Sequence, residues 1–306
     1  MIEPHTVQAM QQAQPGIGLQ EEVMPVVPTR EIVQRAFKER YGVAAINVVN
    51  DLTLEAVLAA AEELRAPLIV QTSVKTVKSI GADVLYGMWC EMTRAITVPV
   101  ALHLDHCPER EVITMCLAKG WNSVLFDGSK LTVEENKQQT VEVVAEAKPY
   151  GALVEGEIEP FKRVEEMSED ERDSEQALET ALDFIRTTGV DIYAPAIGNA
   201  HGMYKATPKL DNQRVTDIVE ATGIPVALHG GTGMTAEQFS DLISRGCAKV
   251  NISTALKIRF MQSGYDYMTE HPGEYDPPKL FVAQREAVKA MAEEHIRMFG
   301  SEGRAW

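Results

Sequence analysis

Cysteine is scarce in this chain and scattered. Cys90, Cys107, Cys116 and Cys247 form no C-x-x-C pair and no spacing of a disulfide framework, so reduced thiols in a cytoplasmic protein are expected. No apolar run approaches the roughly 20 residues that span a bilayer. The start, Met1-Ile2-Glu3-Pro4-His5, lacks the basic stretch and apolar segment of a secretory leader, and none is expected. Positive charge is in deficit: 29 Lys and Arg stand against 45 Asp and Glu, a net charge of −16. That balance argues against nucleic acid or an anionic membrane as partner. An anionic substrate would have to be met by local positive potential against the global field. Also missing are a low-complexity linker and any convincing self-similarity, so a single domain is expected.

Residues 1–26 are rich in Gln, Pro and Glu without periodicity and are expected to form an N-terminal extension, with one domain over 27–306. Thr29 is a plausible N-cap, and Ile32, Ala36 and Phe37 make a helical stripe up to Tyr41-Gly42. A strand-then-helix rhythm follows. Apolar, β-branched runs begin near Val43, Pro67, Val98, Asn122, Gly151, Val190, Ile224 and Ala248. Helical patterns alternate with them: 54–64, 84–95, 111–118, 133–148, 174–187, 212–221, 236–244 and a shorter one at 254–261. Units at intervals of roughly 20 to 40 residues fit an α/β fold, a single (β/α)8 barrel, better than an open sheet. An extra amphipathic helix over 279–297 needs a surface to cover, on the barrel flank or in a subunit contact.

In such barrels chemistry gathers where strands end at their carboxyl side. Here those ends carry Asn47, Ser73, Asp105 with His106, Asp127, Glu155 with Glu157, His201, His229 and Asn251. Every one is polar and able to hydrogen bond or ligate. Three of the strands deliver a histidine: His103 or His106, then His201, then His229. Neutral imidazoles from separate strands are what a catalytic zinc needs, with a position left open for substrate. Two adjacent loops suit an anion. Gly230-Gly231-Thr232-Gly233 follows strand 7, and Asn251-Ile252-Ser253-Thr254 follows strand 8 and opens a helix. Glycine permits close backbone approach, and the helix N-terminus supplies N–H donors. Lys205 can add a full charge.

From about Thr29 onward the chain resembles the class II, zinc-dependent ketose-bisphosphate aldolases, the family of fructose- and tagatose-bisphosphate aldolases. The resemblance is carried by Ala45-Ile46-Asn47-Val48-Val49-Asn50, Gln71-Thr72-Ser73, His103-Leu104-Asp105-His106, Phe126-Asp127-Gly128-Ser129 and Val154-Glu155-Gly156-Glu157. It continues in Ala196-Ile197-Gly198-Asn199-Ala200-His201-Gly202, His229 through Gly233, and Asn251 through Thr254. It implies His106, His201 and His229 as zinc ligands, Glu157 as an acid associated with the metal, and Asp105 as the proton-transferring carboxylate. It also implies Gly202, Gly230, Thr232, Asn251, Ser253 and Thr254 around the phosphate of dihydroxyacetone phosphate, and Asn47 and Ser73 near the substrate carbonyl. Asp127 is kept as a further metal candidate. His103 matches no ligand and is expected to line the barrel. A monovalent cation, Na+ or K+, beside the zinc is left open, and a homo-oligomer, dimer or tetramer, is expected.

Two departures stand out. Family members continue after the Glu157 match as Gly-x-x-Gly-Gly, whereas this chain reads Glu159-Pro160-Phe161-Lys162-Arg163-Val164-Glu165-Glu166. An ungapped match puts the loop acid at Glu165 or Glu166, but the hinge glycines are gone. Near the C-terminus the family has Asp-Pro-Arg, its Arg on the distal phosphate; here the run is Asp276-Pro277-Pro278-Lys279.

The implied reaction is reversible cleavage of a C–C bond beside a ketone. Zinc would stabilise the negative charge that develops, which makes a Schiff-base lysine unnecessary. Asp105 is expected to handle the proton on the aldehyde or hydroxyl oxygen, and Glu165 or Glu166 the proton on the carbanion carbon. Three readings stay open at this point: fructose 1,6-bisphosphate as substrate, the same chemistry on tagatose 1,6-bisphosphate or a ketose 1-phosphate or deoxy sugar, and a non-catalytic sugar-phosphate-binding protein.

Overall fold

The structure, a computed structural model, describes residues 25–159, 177–200, 202 and 208–306. In chain order its elements are α1 (Thr29–Glu39), β1 (Val43–Asn47), α2 (Asp51–Glu63), β2 (Leu68–Ser73), α3 (Val74–Ile80), α4 (Ala82–Thr93), β3 (Val100–Cys107), α5 (Arg110–Lys119), β4 (Ser123–Phe126), α6 (Val133–Ala147), β5 (Leu153–Gly156), α7 (Leu178–Thr188), β6 (Ile192–Tyr193), α8 (Asn212–Thr222), β7 (Val226–Leu228), α9 (Ala236–Arg245), β8 (Cys247–Ile252), α10 (Thr254–Glu270) and α11 (Pro277–Met298). The eight strands are all parallel and close in sequence order, β8 pairing with β1. This is the (β/α)8 barrel that the strand–helix rhythm predicts.

Period-2 alternation turns every second side chain into the barrel. At its amino end these are apolar: Val43 and Ala45, Ile69, Ala101, Leu153, Ile192 and Ala227 form one buried cluster. Ile32, Val33 and Ala36 of α1 join the same cluster, so α1 plugs the bottom with its apolar stripe. Each fully buried Val, Leu or Ile among them contributes about 1.5–3 kcal/mol. Towards the carboxyl end the inward positions turn polar, to Asn47, Gln71, His103, Asp105, Glu155, Lys249 and Asn251, all buried. The outer core lies between strands and helices, and α11 packs against both α10 and α2.

Two stretches differ from the sequence reading. Val74–Ile80 is a helix of its own, capped by Ser73 and ended by Gly81; seven residues are too few to show a helical period. The helix after β8 runs on to Glu270 rather than stopping near Met261. Residues 25–27 lie along the start of β3. Val100 N–H donates to the Pro25 carbonyl at 2.7 Å, Val27 N–H to the Val100 carbonyl at 3.0 Å, and Val26 bridges Val100.

Candidate active site

The centre of the site is a local break in β3. Between the pairs Leu104–Val124 and Cys107–Phe126, β3 has two residues, Asp105 and His106, where β4 has only Leu125. His106 absorbs the extra residue with φ of 43°, a left-handed conformation that is costly for a side chain with Cβ. In a regular strand Asp105 and His106 would face opposite sides of the sheet. The bulge brings both to the barrel mouth, with His106 Nε2 4.0 Å from Asp105 Oδ1.

Around His106 the ends of β4, β5 and β7 converge. Its Nδ1 lies 3.1 Å from Glu157 Oε1 and 3.5 Å from Asp127 Oδ2. The His229 ring meets the His106 ring edge-on at 4.7 Å between centroids, and His229 Nδ1 lies 3.8 Å from Glu157 Oε2. One ligand atom each from His106, Glu157 and His229 falls within 4.8 Å of the others. Glu157 Oε2 is buried without a hydrogen-bond partner, although burial of such an acceptor is costly unless something satisfies it. Two imidazoles and a carboxylate are a donor set that suits zinc, so the residues present fit the metal. Asp127 stands outside this trio: Ser129 donates to its Oδ1 from Oγ at 2.5 Å and from N at 3.2 Å. His201, Lys205, Glu165 and Glu166 lie outside the described residues.

Asp105 is held from two sides. Asn47 Nδ2 donates to Oδ2 at 2.8 Å, and Asn251 Nδ2 reaches Oδ1 at 3.3 Å. Each amide is itself fixed from behind. Gln71 Nε2 donates to Asn47 Oδ1 at 2.8 Å, and Lys249 Nζ to Asn251 Oδ1 at 2.6 Å. The Asn251 amide thus meets Asp105 and Lys249 within the barrel. Burial works to raise the Asp105 carboxyl, but the charges of His106, Lys249 and His229 and the Asn47 bond hold it below the ordinary carboxylate range. Burial opposes charge on His106 too; Glu157 and Asp105 nonetheless raise it well above its usual value. Glu157 goes the other way, pushed up by burial to about 8. Two carboxyls of the same mouth are therefore shifted in opposite directions, Asp105 down and Glu157 up.

Sequence reading missed Lys249 in the layer beneath. Lys249 and Glu155 are fully buried, with Nζ 2.9 Å from Oε2, and Glu155 Oε1 lies 2.7 Å from His229 Nε2. Hence one buried ion pair reaches Asp105 through Asn251 and His229 through Glu155. Such outer partners orient ligands and fix their tautomer. The available signal was alternation: Lys249 and Asn251, like Glu155 and Glu157, sit two apart on one strand. His103 fills the interior as expected, 2.7 Å from Ser123 Oγ, with burial and Lys249 driving its pKa down.

The loops after β6, β7 and β8 meet above this layer. Asn199 Nδ2 donates to the His229 carbonyl at 2.8 Å. Gly230 has φ of 63°, and a Cβ there would lie 2.3 Å from the Ala200 carbonyl oxygen, so only glycine lets the two loops touch. Thr232 is buried beside it. Ser253 occupies the N-cap of α10 without a side-chain cap bond, and the first turn, opening at Thr254, holds no acid. That end keeps its N–H donors and dipole available to an anion. Gly202 is described with φ of 120°. Ser73, expected near the substrate carbonyl, pairs in register with Asp105, but its Oγ accepts from Thr76 N as the cap of α3.

Residues 27–304 match the family described as fructose-bisphosphate aldolase class-II. The chain is 35% identical over 287 residues to the fructose-bisphosphate aldolase of Geobacillus stearothermophilus, and 34% over 284 residues to the sulfofructosephosphate aldolase of Alkalicoccus urumqiensis. Each alignment covers 92% of this chain and 99% of the relative. The crystal structure of the YdjI aldolase from Escherichia coli K12 superposes with a TM-score of 0.81 at 32% identity, over 92% of this chain and all of that one.

Proposed function

Because the chain belongs to the class II fructose-bisphosphate aldolase family and is an aldolase, we propose that it reversibly cleaves fructose 1,6-bisphosphate to dihydroxyacetone phosphate and glyceraldehyde 3-phosphate with zinc as its metal. The observation that carries this reading is the juxtaposition of a clamped carboxylate, Asp105, with the His106–Glu157–His229 donor set. His106, His229 and Glu157 would hold the metal together with His201. When bound, zinc supplies Lewis-acid stabilisation of the negative charge that develops on the ketone oxygen.

The chain's own residues do the rest. Asp105, kept ionised and aimed by two amides, takes the proton from the hydroxyl whose oxygen becomes the aldehyde, and returns it in the condensation direction. Asn47 and Asn251 hold its two oxygens, so the carboxylate is oriented before substrate arrives. The open N-terminus of α10 and the Gly230–Gly233 turn take the donor phosphate. Glu165 or Glu166 is assigned the proton on the carbanion carbon.

Among the described residues, the distal phosphate is where this chain has least to offer. Pro277 and Pro278 form the first turn of α11, Lys279 pairs with Glu274 at 2.5 Å, and Arg285 pairs with Glu55 at 3.0 Å. Bidentate Arg recognition is not replaced by a lysine already engaged elsewhere. Preference for a bisphosphate over a ketose 1-phosphate should therefore be weak, since one charge-assisted bond is worth about 1.5–3 kcal/mol, or roughly 10- to 100-fold. The test is kcat/KM of purified protein on fructose 1,6-bisphosphate, tagatose 1,6-bisphosphate, fructose 1-phosphate and sulfofructose phosphate, before and after chelation. Full turnover without metal sinks the zinc assignment. A preference of a thousandfold or more for the bisphosphate means that another cation serves the distal end.

A further inference from the structure

Behind the wall of the barrel mouth lies a buried cluster that the site above does not use. Glu159 Oε1 accepts from Arg214 Nη2 at 2.7 Å, and its Oε2 accepts from the Tyr193 hydroxyl at 3.2 Å. All three side chains are more than nine-tenths buried. Tyr193 belongs to the outer core, beside Phe184 of α7, whereas its neighbours Ile192 and Ala194 face the barrel interior. Glu159 therefore turns behind the wall, although Glu155 and Glu157, earlier in the same run, reach inward to His229 and His106. A charge in such a place is costly unless it is paired. Arg214 pairs with no other carboxylate among the described residues, so each charge depends on the other.

The cluster gathers three points of the chain. β5 ends at Gly156, whose carbonyl accepts from Ala194 N at 2.9 Å. Past that strand, Asn136 Nδ2 of α6 donates to the Glu157 carbonyl at 2.8 Å, and the Glu159 carboxylate provides the next anchor. Tyr193 closes β6, at the start of the stretch 194–211 that contains His201. Arg214 stands in the first turn of α8, just past the other end of that stretch. Its N–H donates to the capping side chain of Asp211 at 3.1 Å, and Asp211 N donates to the Ile197 carbonyl at 2.9 Å. One carboxylate thus ties the chain just after Glu157 to both ends of the stretch carrying His201. Glu157 needs such holding. Its carboxyl is buried with one oxygen unpartnered and Asp127 beside it as a like charge, which favours turning away unless the backbone prevents it.

We propose that Glu159, locked to Arg214 and Tyr193, is a positioning residue: it sets the backbone beyond β5 so that Glu157 is presented to the metal together with His106 and His229. The proposal rests on the zinc reading above. Its test is the zinc affinity of the full chain by chelator competition, with the urea midpoint of the metal-free protein as control. Glu159→Leu combined with Arg214→Leu removes both charges at once, and replacing a buried ion pair by apolar side chains keeps stability near that of wild type. Zinc should nonetheless bind about 10- to 100-fold more weakly, the usual loss for an outer partner of a metal site. Tyr193→Phe keeps the ring against Phe184 and deletes one donor to Glu159, so it should weaken zinc by a smaller factor. Wild-type zinc affinity in the double variant would overturn the proposal. Should that variant not fold, wild-type affinity in Tyr193→Phe overturns it instead. A wild type that binds no zinc would sink the zinc reading and this proposal with it.

Discussion

The two ends of this barrel solve different problems with the same kinds of side chain. At the amino end Asn122 ties three segments together: its Oδ1 accepts from Leu102 N at 2.8 Å and from Thr29 Oγ1 at 3.1 Å, and its Nδ2 donates to the Val27 carbonyl at 2.9 Å. These groups are neutral and satisfied. At the carboxyl end Asp105, Asp127, Glu155 and Glu157 crowd around His106 and His229, one carboxylate oxygen of Glu157 has no hydrogen-bond partner, and His106 sits in a strained conformation. One end is arranged for stability, and the other stores charge and strain for chemistry.

The largest test of that contrast is His106→Gly. It should remove bound metal and abolish turnover, as should His229→Ala. Yet the metal-free protein should melt no lower than chelator-treated wild type. Relief of the left-handed conformation is worth about 1–2 kcal/mol, enough to offset the roughly 0.4–1 kcal/mol that glycine costs through the unfolded chain. A melting temperature lower by several degrees would break the comparison, since the mouth would then carry the fold too. Asp105→Asn comes next. Losing an acid–base group lowers kcat by about 10²–10⁴-fold, and here it should do so with metal content unchanged by elemental analysis. Loss of zinc along with activity would move Asp105 from proton transfer to ligation.

Lys249 lies in the layer between the two ends and sharpens where one gives way to the other. Lys249→Met leaves Glu155 buried without its cation and should cost about 3–5 kcal/mol in urea unfolding. Pairing it with Glu155→Gln should recover part of that loss. Recovered stability with kcat still low would show the ion pair acting on the site, by orienting Asn251 and His229, as well as on the fold.

Much of this was legible in the chain. Strand–helix alternation predicted the barrel, and polar residues at strand ends predicted the mouth, because both follow from periods that sequence displays. His106 and His229 meet there with Asp105. What sequence hid was conformational. Nothing in Leu104-Asp105-His106-Cys107 announces the bulge that turns two neighbouring side chains to the same side. Lys249 reads as an interruption of an apolar strand until closure of the barrel sets it against Glu155. Asn251 could be placed at the mouth, but its commitment to Asp105 depends on which strands lie opposite across the barrel.

Asn122→Ala is the smallest expected effect and the control on all the others. The substitution leaves the half-buried Val27 carbonyl and the buried Leu102 N–H short of a partner, the latter at about 1–3 kcal/mol for a buried unsatisfied group. Thr29 loses one of two acceptors but keeps the Asn122 carbonyl at 3.2 Å. The melting temperature should fall by a few degrees, while kcat and metal content stay as in wild type, because Leu102 lies on the same strand as Asp105 but at the far end of it. Asn122→Asp should separate the parts: the acceptor for Leu102 N and Thr29 survives, and only the donor to Val27 is lost. If Asn122→Ala instead lowered kcat at unchanged stability, strain would be passing along β3 from its first residues to the His106 bulge, and the two ends would not be independent.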